Sequence, residues 1–162
     1  TCLFAVLVLT FAFAACGSDD DDGADTWKNV TSLQQIVGTW KTTYTQTETV
    51  QGITIKVDAE VTLVITASSA TAGTMSGTMK TTMTFSGDNI NTYWPYLLEQ
   101  YPASEGWTPN NTAHSVTQTE SIPSESVTLS DLDGAQINQN GTKMKQPAND
   151  DEDSPEMIFI KQ

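Results

Sequence analysis

The sequence contains no arginine, and its only bases are seven lysines against 20 acids. A nucleic-acid binder displaces counterions with a basic face, so this balance argues against nucleic acid as a partner. The missing arginine also removes the usual bidentate clamp for phosphate or carboxylate ligands, leaving lysine as a point charge. Cysteine is nearly absent too. Cys2 and Cys16 are the only two, and both lie near the N-terminus, so the body of the chain has no thiol for a disulfide or a metal. Histidine occurs once, at His114, with no local nucleophile or metal partner in the sequence. Long apolar runs are confined to one place at the start of the chain.

The net charge of −13 is unevenly spread. Asp19, Asp20, Asp21, Asp22 and Asp25 form one acidic group, and Asp150, Asp151, Glu152, Asp153 and Glu156 form another. These ten acids leave a net −3 for everything else. The acidity therefore belongs to two solvated segments and not to a field around the fold.

Cys2 to Ala15 is the apolar run. At 14 uncharged residues it is short for a membrane span and suits the h-region of a signal peptide. Thr1 is neither a start methionine nor a basic n-region, so the chain is expected to begin inside that peptide. The other reading of the run is a buried apolar helix. Small residues Ala14 and Ala15 precede Cys16, and the composition turns abruptly polar after it. Phe13-Ala14-Ala15-Cys16 resembles a bacterial lipobox, although Phe13 replaces the preferred leucine. That resemblance implies cleavage before Cys16 and its acylation with palmitate-type chains. Gly17-Ser18-Asp19-Asp20-Asp21-Asp22 is similar to the acidic export tag of Bacteroidetes surface lipoproteins; a plain charged linker is the alternative. The implied address is the outer membrane, facing the exterior. Several acyl chains anchor durably where one holds only marginally, and the aspartates repel one another and extend the tether. The expected division is signal peptide 1–15, lipidated tether 16–27 and one domain over 28–162.

The domain reads as strands. A spacing of three and four at Val30, Leu33, Ile36 and Val37 predicts a short helical turn ended by Gly38. The period then becomes two. Trp40 and Tyr44 share one face of a first strand, and Gln51-Gly52 is a turn. In the second strand Ile53, Ile55, Val57, Ala59, Val61, Leu63, Ile65 and Ala67 face one way, against mostly polar residues. This is the pattern of a half-buried antiparallel strand. In the third, Met75, Gly77, Met79, Thr81, Met83 and Phe85 share a face. A helix is expected over Thr92–Tyr101, capped by Asn91 or Thr92 with Pro95 in its first turn, followed by a loop over 103–111. Further strands are expected near 112–122, 126–130 and 135–139, then Asn140-Gly141 as a hairpin turn into 142–146. Met157 to Ile160 closes the chain as an apolar strand.

Eight antiparallel strands in sequence order predict an all-β up-and-down barrel with a helical insertion after the third strand; a β-sandwich is the alternative. Val37-Gly38-Thr39-Trp40-Lys41, a helical turn leading into Gly-x-Trp, resembles the start of the lipocalin-like (calycin) family. In that family the Trp plugs one barrel end, often under an arginine from the last strand. This chain has Lys161 at about that place. The resemblance implies a small apolar or amphipathic ligand inside the barrel. Trp40, Met75, Met79, Met83, Phe85, Tyr93, Trp94 and Trp107 are the candidate ligand-binding residues, since methionine adapts to varied ligands and aromatics suit a pocket mouth. The same methionines would equally serve as core. Tyr93, Trp94, Tyr96, Tyr101 and Trp107 crowd the insertion, and they favour as runner-up a surface protein that contacts glycan or another protein, over a solid barrel core.

Enzymatic readings are weaker. Gly73-Thr74-Met75-Ser76-Gly77 has its serine out of register for a nucleophile elbow. Asp58 and Glu60 share a polar strand face, where carboxylates are ordinary surface charges. Asp150-Asp151-Glu152-Asp153 lacks the spacing and glycine of a calcium loop. No enzyme activity, metal or cofactor is expected.

Overall fold

In the computed structural model, residues 26–147 and 156–162 are described. The expected signal peptide, Cys16, the Asp19–Asp22 tag and the Asp150–Asp153 stretch lie outside them. Nine strands form one sheet: β1 (Trp27–Asn29), β2 (Gly38–Val50), β3 (Ile53–Ala67), β4 (Ala72–Ser86), β5 (Thr108–Asn110), β6 (Ser115–Thr128), β7 (Gln136–Asn138), β8 (Lys143–Gln146) and β9 (Met157–Lys161). One helix, α1 (Ile90–Gln100), interrupts them after β4. The sheet order is β1-β7-β8-β9-β2-β3-β4-β6-β5, and every pairing is antiparallel.

The strands are of two kinds. β2, β3, β4 and β6 have 13 to 15 residues, whereas the other five have three to five. The long ones come from unbroken period-two patterning with β-branched residues on both faces, which suits a pleated surface. Gln51 (φ 53°) and Gly52 (φ 82°) make the tight turn between β2 and β3, as a hairpin with two left-handed positions requires.

The all-β antiparallel class holds, but the barrel does not close. Early and late strands do meet, at Trp40–Lys161 and Lys41–Ile160 of β2 and β9. The break falls between β6 and β7, consecutive in sequence and not neighbours in the sheet. The physical reason is length and competition. β7 has three residues to offer a strand of 14, and its other edge is taken by β1. Other expectations shift as well. The two strands expected near 112–122 and 126–130 are the single strand β6, kinked where its register slips opposite Met75 and Gly77. Residues 129–132 form a 3-10 turn. The expected loop over 103–111 contains β5. Helix α1 starts at Ile90, so Pro95 lies inside it and not in its first turn, and Asn89 caps it without a side-chain bond.

Both cores lie on one face of the long strands. Side chains two apart share a face, so Ile55 and Ile65 of β3 point the same way. The first core holds Leu33, Ile36, Trp40, Leu63, Ile65, Val127, Ile137, Met144 and Phe159. The short strands and the Leu33–Ile36 turn fold over it. Trp40 is fully buried and its Nε1 donates to the carbonyl of Ile36 at 2.7 Å. The second core holds Met83, Phe85, Trp94 and Val116, with α1 laid across the far end of the same face.

The opposite face is a lattice of hydroxyls and charges. Thr49 and Thr54, Thr66 and Thr74, and Thr82 and Thr117 meet across strands at 2.8–3.1 Å. Lys41 pairs with Glu60 at 2.7 Å and Lys56 with Asp58 at 2.9 Å.

Candidate functional site

Gly38, Trp40 and Lys161 form the best-defined side-chain constellation. The Lys161 ammonium lies 5.3 Å from the centre of the Trp40 ring, within range of a cation–π contact. Gly38 makes room for it: its φ is +139°, and a Cβ there would stand 2.7 Å from Lys161 Cε. The Gly-x-Trp spacing thus has a local cause. The positive φ favours glycine at residue 38, and its bareness leaves space for the last strand's lysine to cross to the indole two residues on. Trp40 is fully buried in this arrangement.

The candidate ligand residues are divided between the two cores. Trp40 is buried in the first, with Met75 packed against it. Met83, Phe85 and Trp94 form the second, with Trp107 packed against it. Phe85 stands 6.0 Å from Trp94 and 5.8 Å from Tyr101, and Trp107 meets Tyr101 edge-on at 5.1 Å. Burial pushes the Tyr101 phenol above its ordinary pKa. Trp94 Nε1 donates to Asn111 Oδ1 at 2.9 Å, and the His114 ring lies edge-on to Trp94 at 5.4 Å. His114 therefore packs a turn, at a φ of 46°. Tyr93 and Tyr96 face away, 46% and 66% exposed. Met79 belongs to neither core and is half-buried between them.

Met79 marks a gap. Tyr44, Ala59, Thr81 and Gln118 are aligned across β2, β3, β4 and β6. The next row toward Trp40 is Thr42, Val61, Met79 and Glu120. Toward α1 lie Gln46, Val57, Met83 and Val116. Opposite residues share a face, so all three rows lie on the face that carries both cores. The central row is in neither core. Its Ala59, Thr81 and Gln118 are half-buried, and Tyr44 is 37% exposed. Among the described residues the result is a band of the sheet between the two covers, one or two side-chain rows wide and here termed the cleft, which neither core includes. Val57 and Val61 flank it four residues apart, about 13 Å along the strand.

The cleft has an apolar and polar floor. Ala59 and Thr81 are short, so the backbone lies close to the surface there, and Met79 supplies an adaptable apolar wall. Tyr44 Oη donates to Gln46 Oε1 at 2.8 Å, and desolvation raises the phenol's pKa. Gln118 Nε2 donates to the Glu105 carbonyl at 2.7 Å, fixing the loop that leads into Trp107 on the helix side. These are neutral hydrogen-bonding groups beside apolar ones, suited to an amphipathic ligand.

Two further depressions lie nearby. One of about 180 Å³ opens where β2 and β9 part, lined by Lys41, Thr42, Thr43, Ile158, Ile160 and Gln162. The other, about 30 Å³, lies among Gln46, Glu48, Ile55 and Val57 beside the cleft. Neither is lined by Met75, Met79 or Met83. Among the described residues no three His, Cys, Asp or Glu side chains are grouped to hold a metal ion.

Ala59, Thr81 and Gln118 are not among the sequence-derived site residues. The signal for them is the loss of bulk at Thr81 in the Met75–Phe85 face, which gains meaning only once the register sets it beside Ala59. Comparison with protein-family models, with curated proteins and with solved structures finds no match to this chain.

Proposed function

We propose that this protein is a lipocalin-like, non-enzymatic binding module, anchored on the outer face of the outer membrane through acylated Cys16 and held off it by Asp19–Asp22. Its ligand is a small amphipathic molecule lying across the cleft, with its apolar part on Ala59 and Met79 and its polar part toward Tyr44, Gln46 and Gln118. One observation carries the ligand reading: among the described residues the apolar inner face is covered at both ends, and the row of Tyr44, Ala59, Thr81 and Gln118 belongs to neither core. The address rests on the sequence around Cys16. The lipocalin-like reading draws support from Lys161 over Trp40 and from the β2–β9 pairing.

The test is native mass spectrometry of the protein purified from its own membrane, alongside Thr81→Trp, which fills the cleft. A bound amphiphile on the parent chain that is lost in Thr81→Trp supports the proposal. An unchanged adduct in the variant overturns it. A second reading rests on Tyr93 and Tyr96, whose exposure on α1 suits contact with a glycan or protein partner. Partner binding that survives Thr81→Trp and disappears in the Tyr93→Ala, Tyr96→Ala double variant would favour that reading.

A further inference from the structure

The two long edges of the sheet are built differently. β6 beyond Thr117 has no strand on its outer side among the described residues. That edge is guarded: Pro123 has no N–H to offer, the register slip bends the strand, and Glu120 and Glu125 add charge. Natural edges avoid pairing with other chains by such devices. β2 has neither the proline nor the bend. Among the described residues, only Trp40 and Lys41 of its outer edge are paired, by β9, and the strand runs on to Val50 without proline, glycine, lysine or bulge, carrying a single charge at Glu48.

The backbone groups at this edge can be assigned. The Thr39 carbonyl accepts from Gln162 N at 2.9 Å, so Thr39 faces the β9 side. Outward groups recur at every second residue, which places those of Thr43, Thr45, Thr47 and Thr49 along the open edge. The sequence here is self-complementary about Thr47. An antiparallel twofold at that residue sets Thr47 against Thr47 and Thr45 against Thr49, forming about six backbone hydrogen bonds. It sets the Gln46 amide against the Glu48 carboxylate, and Tyr44 against Val50. Both of those are closely spaced pairs, and aromatic on β-branched is a favourable one. Tyr44 and Val50 are also the exposed large apolar residues of β2, at 37% and 45%. The two Glu48 side chains never oppose each other.

We propose that a second copy of this chain pairs along Tyr44–Val50, making a twofold dimer with one continuous sheet. The contact is short and belongs to the small, transient class of interfaces. The reading stands whether or not the cleft binds a ligand.

Sedimentation equilibrium of the full chain in density-matched detergent tests it, with two variants. Thr47→Pro removes both N–H groups at the twofold and none from the β2–β3 ladder, since that N–H points outward; proline is tolerated at such edge positions. It should weaken dimerisation about tenfold or more. Thr47→Lys sets two like charges against each other and should weaken it about fivefold, with recovery in high salt. Circular dichroism should be unchanged in both. A parent chain that stays monomeric at about 100 µM, or a dimer unaffected by either folded variant, overturns the proposal.

Discussion

The two ends of the inner face solve the same burial problem by different means. At the Trp40 end, short strands and a 3-10 turn continue the hydrogen-bonded ladder over the core, and Trp40 is fully buried with its N–H satisfied. At the Phe85 end the cover is helix α1, held to the sheet among the described residues by side-chain contacts and carrying Pro95 inside it. Proline there deletes one helical hydrogen bond. A ladder couples its cover to the whole sheet, whereas a docked helix can lift while the sheet stays paired. The first end should therefore set global stability, and the second should open locally.

The largest effect separates the two ends. Trp40→Ala should cost about 3–5 kcal/mol in denaturant unfolding and lower hydrogen-exchange protection throughout the sheet. Trp94→Ala should cost about 3 kcal/mol. Its protection loss should be confined to α1 and the adjoining ends of β4 and β6, with β8 and β9 still protected. Equal, sheet-wide loss in both variants would break the comparison.

A smaller effect sharpens what holds the ladder end. Gly38→Ala forces an L residue into a left-handed conformation and pushes it against Lys161. The expected loss is about 1–3 kcal/mol in thermal unfolding. Lys161→Ala, which removes the ammonium over Trp40 together with the methylenes beside Gly38, should cost about 0.5–1 kcal/mol. A Gly38→Ala penalty that disappears in the Lys161→Ala background would assign the strain to the lysine and not to the backbone.

The smallest effect is a pH dependence on the outer face, behind the cleft. A hydrogen bond from Thr45 Oγ1 at 2.7 Å, and then Lys56, hold the Asp58 carboxyl below the ordinary carboxylate range. Its folded pKa is lower than its unfolded one. The contribution is therefore full above about pH 4 and is lost as pH falls through the lowered value. Asp58→Asn should flatten the acid limb of the stability curve slightly and leave neutral-pH exchange at α1 unchanged. The pair is exposed, so the effect is that of a surface interaction.

The long strands were legible because a period of two over 15 residues of β3 admits few other structures. The Gln51-Gly52 turn was legible for a similarly local reason, whereas Lys161 was placed near Trp40 only through the lipocalin-like resemblance. Closure was not. The expectation of a barrel counted strands and could not weigh their lengths, and three-residue β7 cannot cover 14-residue β6. β1 and β5 were missed because three residues carry no readable period. The candidate site was half legible. Met75, Met79 and Met83 do share a face, but which of them lies in a core depends on what covers each row. That cover comes from α1, β7, β8 and β9, distant in sequence. Pro123 would ordinarily split a strand, and β6 keeps it because its outer edge needs no N–H there.

The cleft between the two covered ends is the central claim, and methionine can report on it directly. The chain has five methionines, so methyl-labelled protein of residues 17–162, which retain every described element, gives a short, assignable spectrum. Titration with octyl glucoside below its micelle concentration should shift the Met79 methyl and leave Met83 and Met144, one in each core, where they were. A Met79 methyl that does not move while Met83 or Met144 does would contradict the account.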